Sequence, residues 1–506
     1  MTFLLSQNMT YQLSRDRSVS SDYEKGLLDA LLARRTQKSE NGLMLRGFAF
    51  ARELRSVFKL AAPIVLLQTG LMLYGTVDTL MVGRLGPHAI ACVGLCGSTY
   101  FLLFILAMGL LFGIDPLSSK AHGAGRDDLC AEVLVHAVLM ALLASLPIFA
   151  LLSNAGRLFA LFRVDPSVAA MASQYMGILR WCLFPGLLFA ACRHYLQSQS
   201  ITRPQLAAVA IGNIFNIVLV RALVFGKMGL PAMGVMGAAW ATLSSYTLMF
   251  AITAGASALR ARGTGFRWRG FQPATARELL RIGLPAGAQM FAEMAAFSIA
   301  TLLAGRIGAT AAAAHQIVMN LSSMTFMIPL GLSHAAAVRV GQGLGRKDPR
   351  ASAGSGDAAL LMGIAFMSIM SLLFFLFPEP ILRAYSHDPE VLRIGKSLLA
   401  VAAFYQVFDA TQIVMTGALR GLGETRRSLL ANLIGHWCAG IPVGIFFAFS
   451  LGWGALGLWI GLCAGLCLAA VLVLFFWVRL THPFRRETFP RQESLPAGET
   501  KAACGA

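Results

Sequence analysis

Twelve stretches of roughly 20 apolar residues, each long enough to cross the ~30 Å hydrocarbon core of a bilayer as a helix, fill the chain from Phe58 to Arg479. They lie at about 58–82, 89–114, 130–153, 172–195, 205–226, 234–256, 279–304, 311–336, 356–378, 397–418, 428–450 and 453–478. That pattern leaves little choice of architecture: an all-α polytopic membrane protein with twelve transmembrane helices. Composition agrees, because only 13% of the 506 residues are charged, where a soluble domain carries about a quarter.

The net charge of +18 would in a soluble protein suggest nucleic acid. Here Lys and Arg gather at the ends of apolar stretches rather than on a helix face or beside stacking aromatics, so no nucleic-acid partner is expected. An even number of spans puts both termini on one side of the lipid bilayer. The five connections on that side carry sixteen Lys or Arg and the six opposite ones eight, which predicts a multi-pass membrane protein with cytoplasmic termini. Phe3 to Leu5 is too short for a signal peptide and basic residues follow it, so the N-terminal tail is expected to be retained and loosely ordered. Most of the nine cysteines lie in apolar segments without metal-type spacing, and no disulfide framework or zinc site follows.

The chain is internally duplicated. Pro63 to Gly86 resembles Pro285 to Gly308 at an offset of 222, Gly123 to Asp128 pairs with Gly343 to Asp348, and Leu196 to Leu206 with Leu419 to Leu429. Six helices separate the copies, so the two six-helix repeats run parallel, and repeated halves meeting at a central site are a transporter architecture. The organisation expected is a cytoplasmic extension (1–50), an N-lobe (51–256, helices 1 to 6), a basic linker (257–277), a C-lobe (278–480, helices 7 to 12) and a cytoplasmic tail (481–506).

Nearly all of the 24 acidic residues sit in tails or loops; those inside apolar segments are Asp78, Glu293 and Asp409, with Asp115 near the end of the second helix. A carboxylate deep in a bilayer costs about 2.5 kcal/mol or more and usually faces a wet cavity on an ion or proton pathway. The bland alternative is an acid paired with an arginine, for which Arg180 and Arg221 are available nearer the outer face. Tyr405, Asp409, Gln412 and Thr416 form one polar stripe on the tenth helix, Gln289 and Glu293 are one turn apart on the seventh, and Gln68, Gly75 and Asp78 share a face of the first. These stripes either line a cavity or are polar glue between helices. The repeat sets Glu293 against Leu71, Asp409 against Gly186 and Asp78 against Ala300. Only the second half therefore holds a carboxylate pair, whose repulsion a proton or a monovalent cation would relieve.

Enzyme motifs are thin. Gly341 to Gly345 is glycine-rich but follows an apolar helix, there is no Walker A loop or HExxH, and His315, His334 and His436 are isolated, each expected to bond a neighbouring helix. No catalytic residue, no bound cofactor and no metal site are expected.

These residues resemble the multidrug and toxic compound extrusion (MATE) family, most closely its NorM-like branch, over roughly residues 50 to 480. Pro63, Gln68 and Val77 to Gly83 resemble the family's opening signature, and Gly283-Leu284-Pro285, Glu293, Ala314-His315-Gln316, Asn320 and Arg339 to Gly345 its seventh and eighth helices. Tyr405 to Asp409 and Gly417 to Gly421 resemble the tenth, Asn213 and Asn216 the fifth. The resemblance implies a V-shaped two-lobe antiporter, functional as a monomer, that expels amphipathic, often cationic drugs and toxic organic cations in exchange for Na⁺ or H⁺. Glu293 and Asp409 would bind the coupling ion with Tyr405 beside them, Asp78 would link proton coupling to drug release, and Gln68, Gln289, Gln412 and Asn213 would face the substrate cavity. A lipid-linked precursor flippase of the same superfamily is the alternative; a membrane enzyme or scaffold lacks a visible constellation.

Overall fold

The structure, a computed structural model, describes residues 20–161, 165–268 and 270–486; the first 19 residues and the end of the C-terminal tail lie outside them. The chain divides into two compact units at Arg55. In the first, helix is described from Ser20 onward. The second carries the apolar block and everything below.

Twelve helices long and apolar enough to span a membrane are present: α1 Phe50–Leu85, α2 His88–Gly123, α3 Asp127–Ser153, α4 Pro166–Ser198, α5 Arg203–Phe225, α6 Val235–Arg262, α7 Pro273–Ile307, α8 Ala309–Gly345, α9 Pro349–Leu376, α10 Pro389–Gly421, α11 Thr425–Ser450 and α12 Ala455–Arg485. Their outward faces carry Leu66, Leu73, Leu143, Leu302, Ile369 and Phe375, all exposed. Water would penalise such a surface, and lipid does not.

Each half packs its own interior. One core joins α2, α3, α4 and α6 around Leu111, Met176, Leu183 and Ala238; another joins α8, α10 and α12 around Val318, Leu398, Trp459 and Leu466. The duplication is visible in backbone detail. Pro63 and Pro285 lie inside α1 and α7, and the turns after these helices end at Gly86 and Gly308 with φ 111° and 154°, values strained for any residue with a Cβ.

Three departures from the expected boundaries matter for the site. Helix α2 does not stop near residue 114; it breaks at Phe112 and Gly113 and runs on from Ile114 to Gly123, which places Asp115 within the bundle. The Gly341 to Gly345 stretch is the end of α8 and not a phosphate-binding loop. Helix α11 is π-helical over Leu433–Gly440 and Phe446–Ser450.

From mid-membrane to the end of the bundle where the basic connections lie, the halves meet closely. A Cβ on Gly109 of α2 would fall on the backbone of Gly287 of α7, and one on Gly123 would fall on Gln342 of α8. Glycine is what lets these backbones touch.

Candidate functional site

The acids of the C-terminal half come together. Glu293 on α7 and Asp409 on α10 are both buried, and Gln412 of α10 links the two helices there. Gln412, one turn beyond Asp409, donates from Nε2 toward Glu293 Oε2 at 3.4 Å and Asn432 Oδ1 at 2.7 Å. Asn432 stands where α11 passes into its π-helical segment, a distortion frequent at functional sites. Among the described residues no hydrogen bond reaches Asp409, and neither carboxylate has a cationic partner. The bland reading of a carboxylate neutralised by arginine thus fails for this pair. Arg180 lies over the Phe149 ring, and Arg221 is exposed.

A cavity of about 70 Å³, space for a few water molecules, opens beside Glu293. Gln289, Glu293, Thr416, Ser428, His334 and Arg420 are in its wall. The expected stripe on α10 is therefore split: Thr416 faces this cavity, while Tyr405, Asp409 and Gln412 are packed among α7, α11 and α12. Tyr405 lies edge-on to Trp459 with ring centroids 5.9 Å apart, and the Trp459 indole donates to His315 Nδ1 at 3.1 Å. Since Nδ1 accepts, Nε2 of His315 carries the proton and donates to Thr301 Oγ1 at 3.0 Å. That histidine is spent on helix packing.

Between the halves lies a larger cavity of about 300 Å³. Its wall is aromatic and thioether-rich, with Met72, Phe101, Phe104, Met108, Tyr246 and Met290, and its polar groups are Gln68 and Arg193. Soft, adaptable walls with a few fixed polar groups suit varied amphipathic ligands. Of the residues expected at one substrate cavity, Gln68 lines this larger one and Gln289 the small one beside Glu293. Gln412 and Asn213 line neither: Asn213 Nδ2 faces the carbonyls of Gly70 and Val209 at 3.1 and 2.9 Å, because a buried amide finds backbone oxygens before it finds a ligand.

Asp78 stands apart from the C-terminal pair. It accepts from Thr242 Oγ1 at 2.9 Å on Oδ2, while Oδ1 is buried without a partner. Tyr74 and Asn216 complete its surroundings, the Asn216 amide donating to the Tyr74 hydroxyl at 3.0 Å.

A third polar centre joins residues that sequence reasoning kept separate. Arg193 on α4 donates to Gln68 Oε1 at 2.9 Å and, from its other terminal nitrogen, to His194 Nε2 at 3.3 Å. An arginine only donates, so His194 Nε2 accepts and its Nδ1–H donates to Asp115 Oδ1 at 2.7 Å. On the far side of Asp115, Arg420 Nε of α10 stands 3.7 Å and His334 Nδ1 of α8 stands 3.9 Å from Oδ2. Arg420, counted above among the connection residues, is buried instead, its guanidinium 4.5 Å over the Phe112 ring. Ligand atoms of Asp115, His194 and His334 lie within 4.8 Å of one another, a spacing that could suit a metal ion. Two guanidinium groups flank them, however, and His194 has both nitrogens engaged, so the chemistry of the donor set argues against a cation there. The available signal was the repeat: in the register pairing Gly123 with Gly343, Asp115 falls opposite Ala335, and in that pairing Leu196 with Leu419, Arg420 falls opposite Gln197.

The MatE family model matches residues 63–221 and 285–446, one match in each repeat. The chain belongs to the MatE family. Curated relatives of this MATE protein include the probable multidrug resistance protein NorM of Brucella suis, 34% identical over 86% of this chain and 94% of that one. The multidrug resistance protein PmpM of Pseudomonas aeruginosa is 35% identical over 90% and 97%. Among solved structures, the Vibrio cholerae MATE transporter VcmN superposes with TM-score 0.80 at 18% identity over 86% of this chain and 98% of its own. The eukaryotic MATE transporter AtDTX14 superposes with TM-score 0.76 at 24% identity, over 86% and 99%. The resemblance expected from the sequence, with its two-lobe fold of twelve helices, is borne out. The MATE chain is a multi-pass membrane transporter of a multidrug efflux family and not an enzyme.

Proposed function

We propose that this MATE protein is a secondary active antiporter that exports amphipathic, often cationic compounds in exchange for Na⁺ or H⁺, working as a monomer in the bacterial inner membrane with both termini cytoplasmic. One observation carries the reading: Glu293 and Asp409 share a buried site without a cationic partner among the described residues, beside the cavity between the lobes. Two carboxylates held together out of water need a positive charge, and a mobile ion is the one a transporter can exchange. In this reading Glu293 and Asp409 bind the ion, Gln412 positions Glu293, Tyr405 packs beside the site, and Asp78 acts on drug release in the N-lobe. Drugs occupy the Met- and Phe-rich cavity with Gln68 at its polar edge, while Gln289 faces the adjoining small cavity beside Glu293.

The flippase reading draws on Arg193, a basic group in the cavity wall suited to an anionic headgroup. Its guanidinium is already engaged by Gln68 and His194, which favours the antiporter. The test is efflux of a fluorescent dye from liposomes containing purified protein, driven by a Na⁺ gradient alone and then by a proton gradient alone. Dye movement with one of them supports antiport. Dye movement with neither, together with translocation of a labelled lipid-linked phosphate, replaces it with the flippase.

A further inference from the structure

We propose that Asp115 is a positioning residue for transport: with Arg420 and His334 it forms a charged latch between the lobes, which is matched only when the basic end of the bundle is closed, as in this state, and comes apart when that end opens. The members belong to opposite halves. Asp115 and His194 are on α2 and α4, Arg420 and His334 on α10 and α8, and all four are buried. The latch has a tight side and a loose side. Within the N-lobe His194 holds Asp115 Oδ1 at 2.7 Å, whereas across the interface Arg420 and His334 stand at 3.7 and 3.9 Å from Oδ2. Asp115 Oδ2, Arg420 Nε and His334 Nδ1 are without hydrogen-bond partners. Separation of the lobes therefore divides the cluster between Asp115 and Arg420, keeps each half's own bonds, and gives both charges to water.

Two further contacts place the latch at the closure. Gln342 of α8 reaches across to Ser198 O and Ser200 Oγ of the N-lobe, both at 2.9 Å, and the α2 glycines touch α7 and α8 directly. A buried ion pair adds little net stability, yet removing one partner is strongly destabilising because the other charge is left unpaired. Such a pair suits a gate: it disfavours half-closed arrangements without making the closed one a trap. The cluster also joins the two cavities, since Gln68 and Arg193 line the central one while His334 and Arg420 line that of Glu293.

The test is hydrogen–deuterium exchange on the full chain in lipid nanodiscs, comparing wild type, Asp115→Asn, Arg420→Gln and the double variant. Each single variant should speed exchange in residues 114–123, 331–345 and 417–424 by about tenfold or more, the range of ordinary coupling energies, and leave residues 148–160 and 376–390 as in wild type. The double variant, which removes both charges, should return toward the wild-type pattern, and Asp115→Glu should lie between. Drug affinity of the singles should change by less than about threefold while turnover falls by about tenfold or more. Should Asp115→Asn loosen the whole protein, Arg420→Gln decides, because it leaves Asp115 held by His194. Wild-type exchange at the basic end in Arg420→Gln, or a double variant as loose as the two singles combined, overturns the latch. The proposal rests on the antiport reading only for the loss of turnover. The exchange measurement needs neither drug nor ion, so the two readings fail separately.

Discussion

Drug and coupling ion should exclude one another through a charge effect whose size follows from the shared wall of the two cavities. Met290 and Leu330 line both, and Met290 stands three residues before Glu293 on α7, which puts their Cβ atoms about 5–6 Å apart. With the width of one side chain added, a cationic drug's charge lies on the order of 8 Å from an ion at Glu293. Two unit charges at ~8 Å in an effective dielectric of ~20 repel by about 2 kcal/mol. That is about 30-fold in affinity, inside the roughly 5- to 150-fold of typical linked sites. Reciprocity requires the drug to weaken the ion by the same factor. The assay is equilibrium binding of a cationic dye to purified protein, with Na⁺ exchanged for a bulky organic cation at constant ionic strength so that screening is unchanged, and a second titration in which pH is lowered. Dye affinity should fall by about 30-fold with whichever ion couples. The Glu293→Gln, Asp409→Asn double variant should lose that dependence and still bind dye. Wild-type affinity indifferent to both ions, or a double variant with the full dependence, refutes the placement of the ion site in the C-terminal half.

Glu293→Gln and Asp409→Asn should each nearly abolish dye efflux while membrane levels stay normal, because neutralising an intramembrane acid eases insertion; efflux and immunoblots of the same cells check both points. Gly109→Val should cut transport sharply, since its side chain falls on the Gly287 backbone and overpacking costs about 1–3 kcal/mol, and normal efflux would show that the contact is dispensable. Cysteines placed at Thr264 and Asp388 should react with an impermeant maleimide from opposite sides of the membrane, Thr264 from the cytoplasmic one.

How much of this was legible beforehand depended on whether a residue was anomalous where it stood. Glu293 and Asp409 are, because an acid in the middle of an apolar run is costly and stands out as a candidate for function, and their meeting follows once α7 and α10 are recognised as cavity helices. Arg420, His334 and Asp115 are not. Each lies within the last few turns of its helix, where charge is ordinary, and they come from three helices whose juxtaposition no local pattern announces. Gln412 shows a third case. Its helical face was legible, but whether that face meets a cavity or another helix depends on Asn432 and on the π-helical turns of α11, which the spacing of apolar residues does not reveal.

Separate cores in the two halves bear on how the molecule is made. Among its described residues, the N-lobe core draws only Ala276 and Leu279 from beyond α6, so the first six helices can complete most of their packing while the second six are still being synthesised. Biogenesis then becomes the joining of two preformed bundles, with the basic linker serving as a leash that keeps the second near the first. A chain severed between Gly265 and Gly270 and expressed as two pieces should therefore assemble in the membrane and export dye; mutual dependence of the pieces for their own stability would show that the halves are built together.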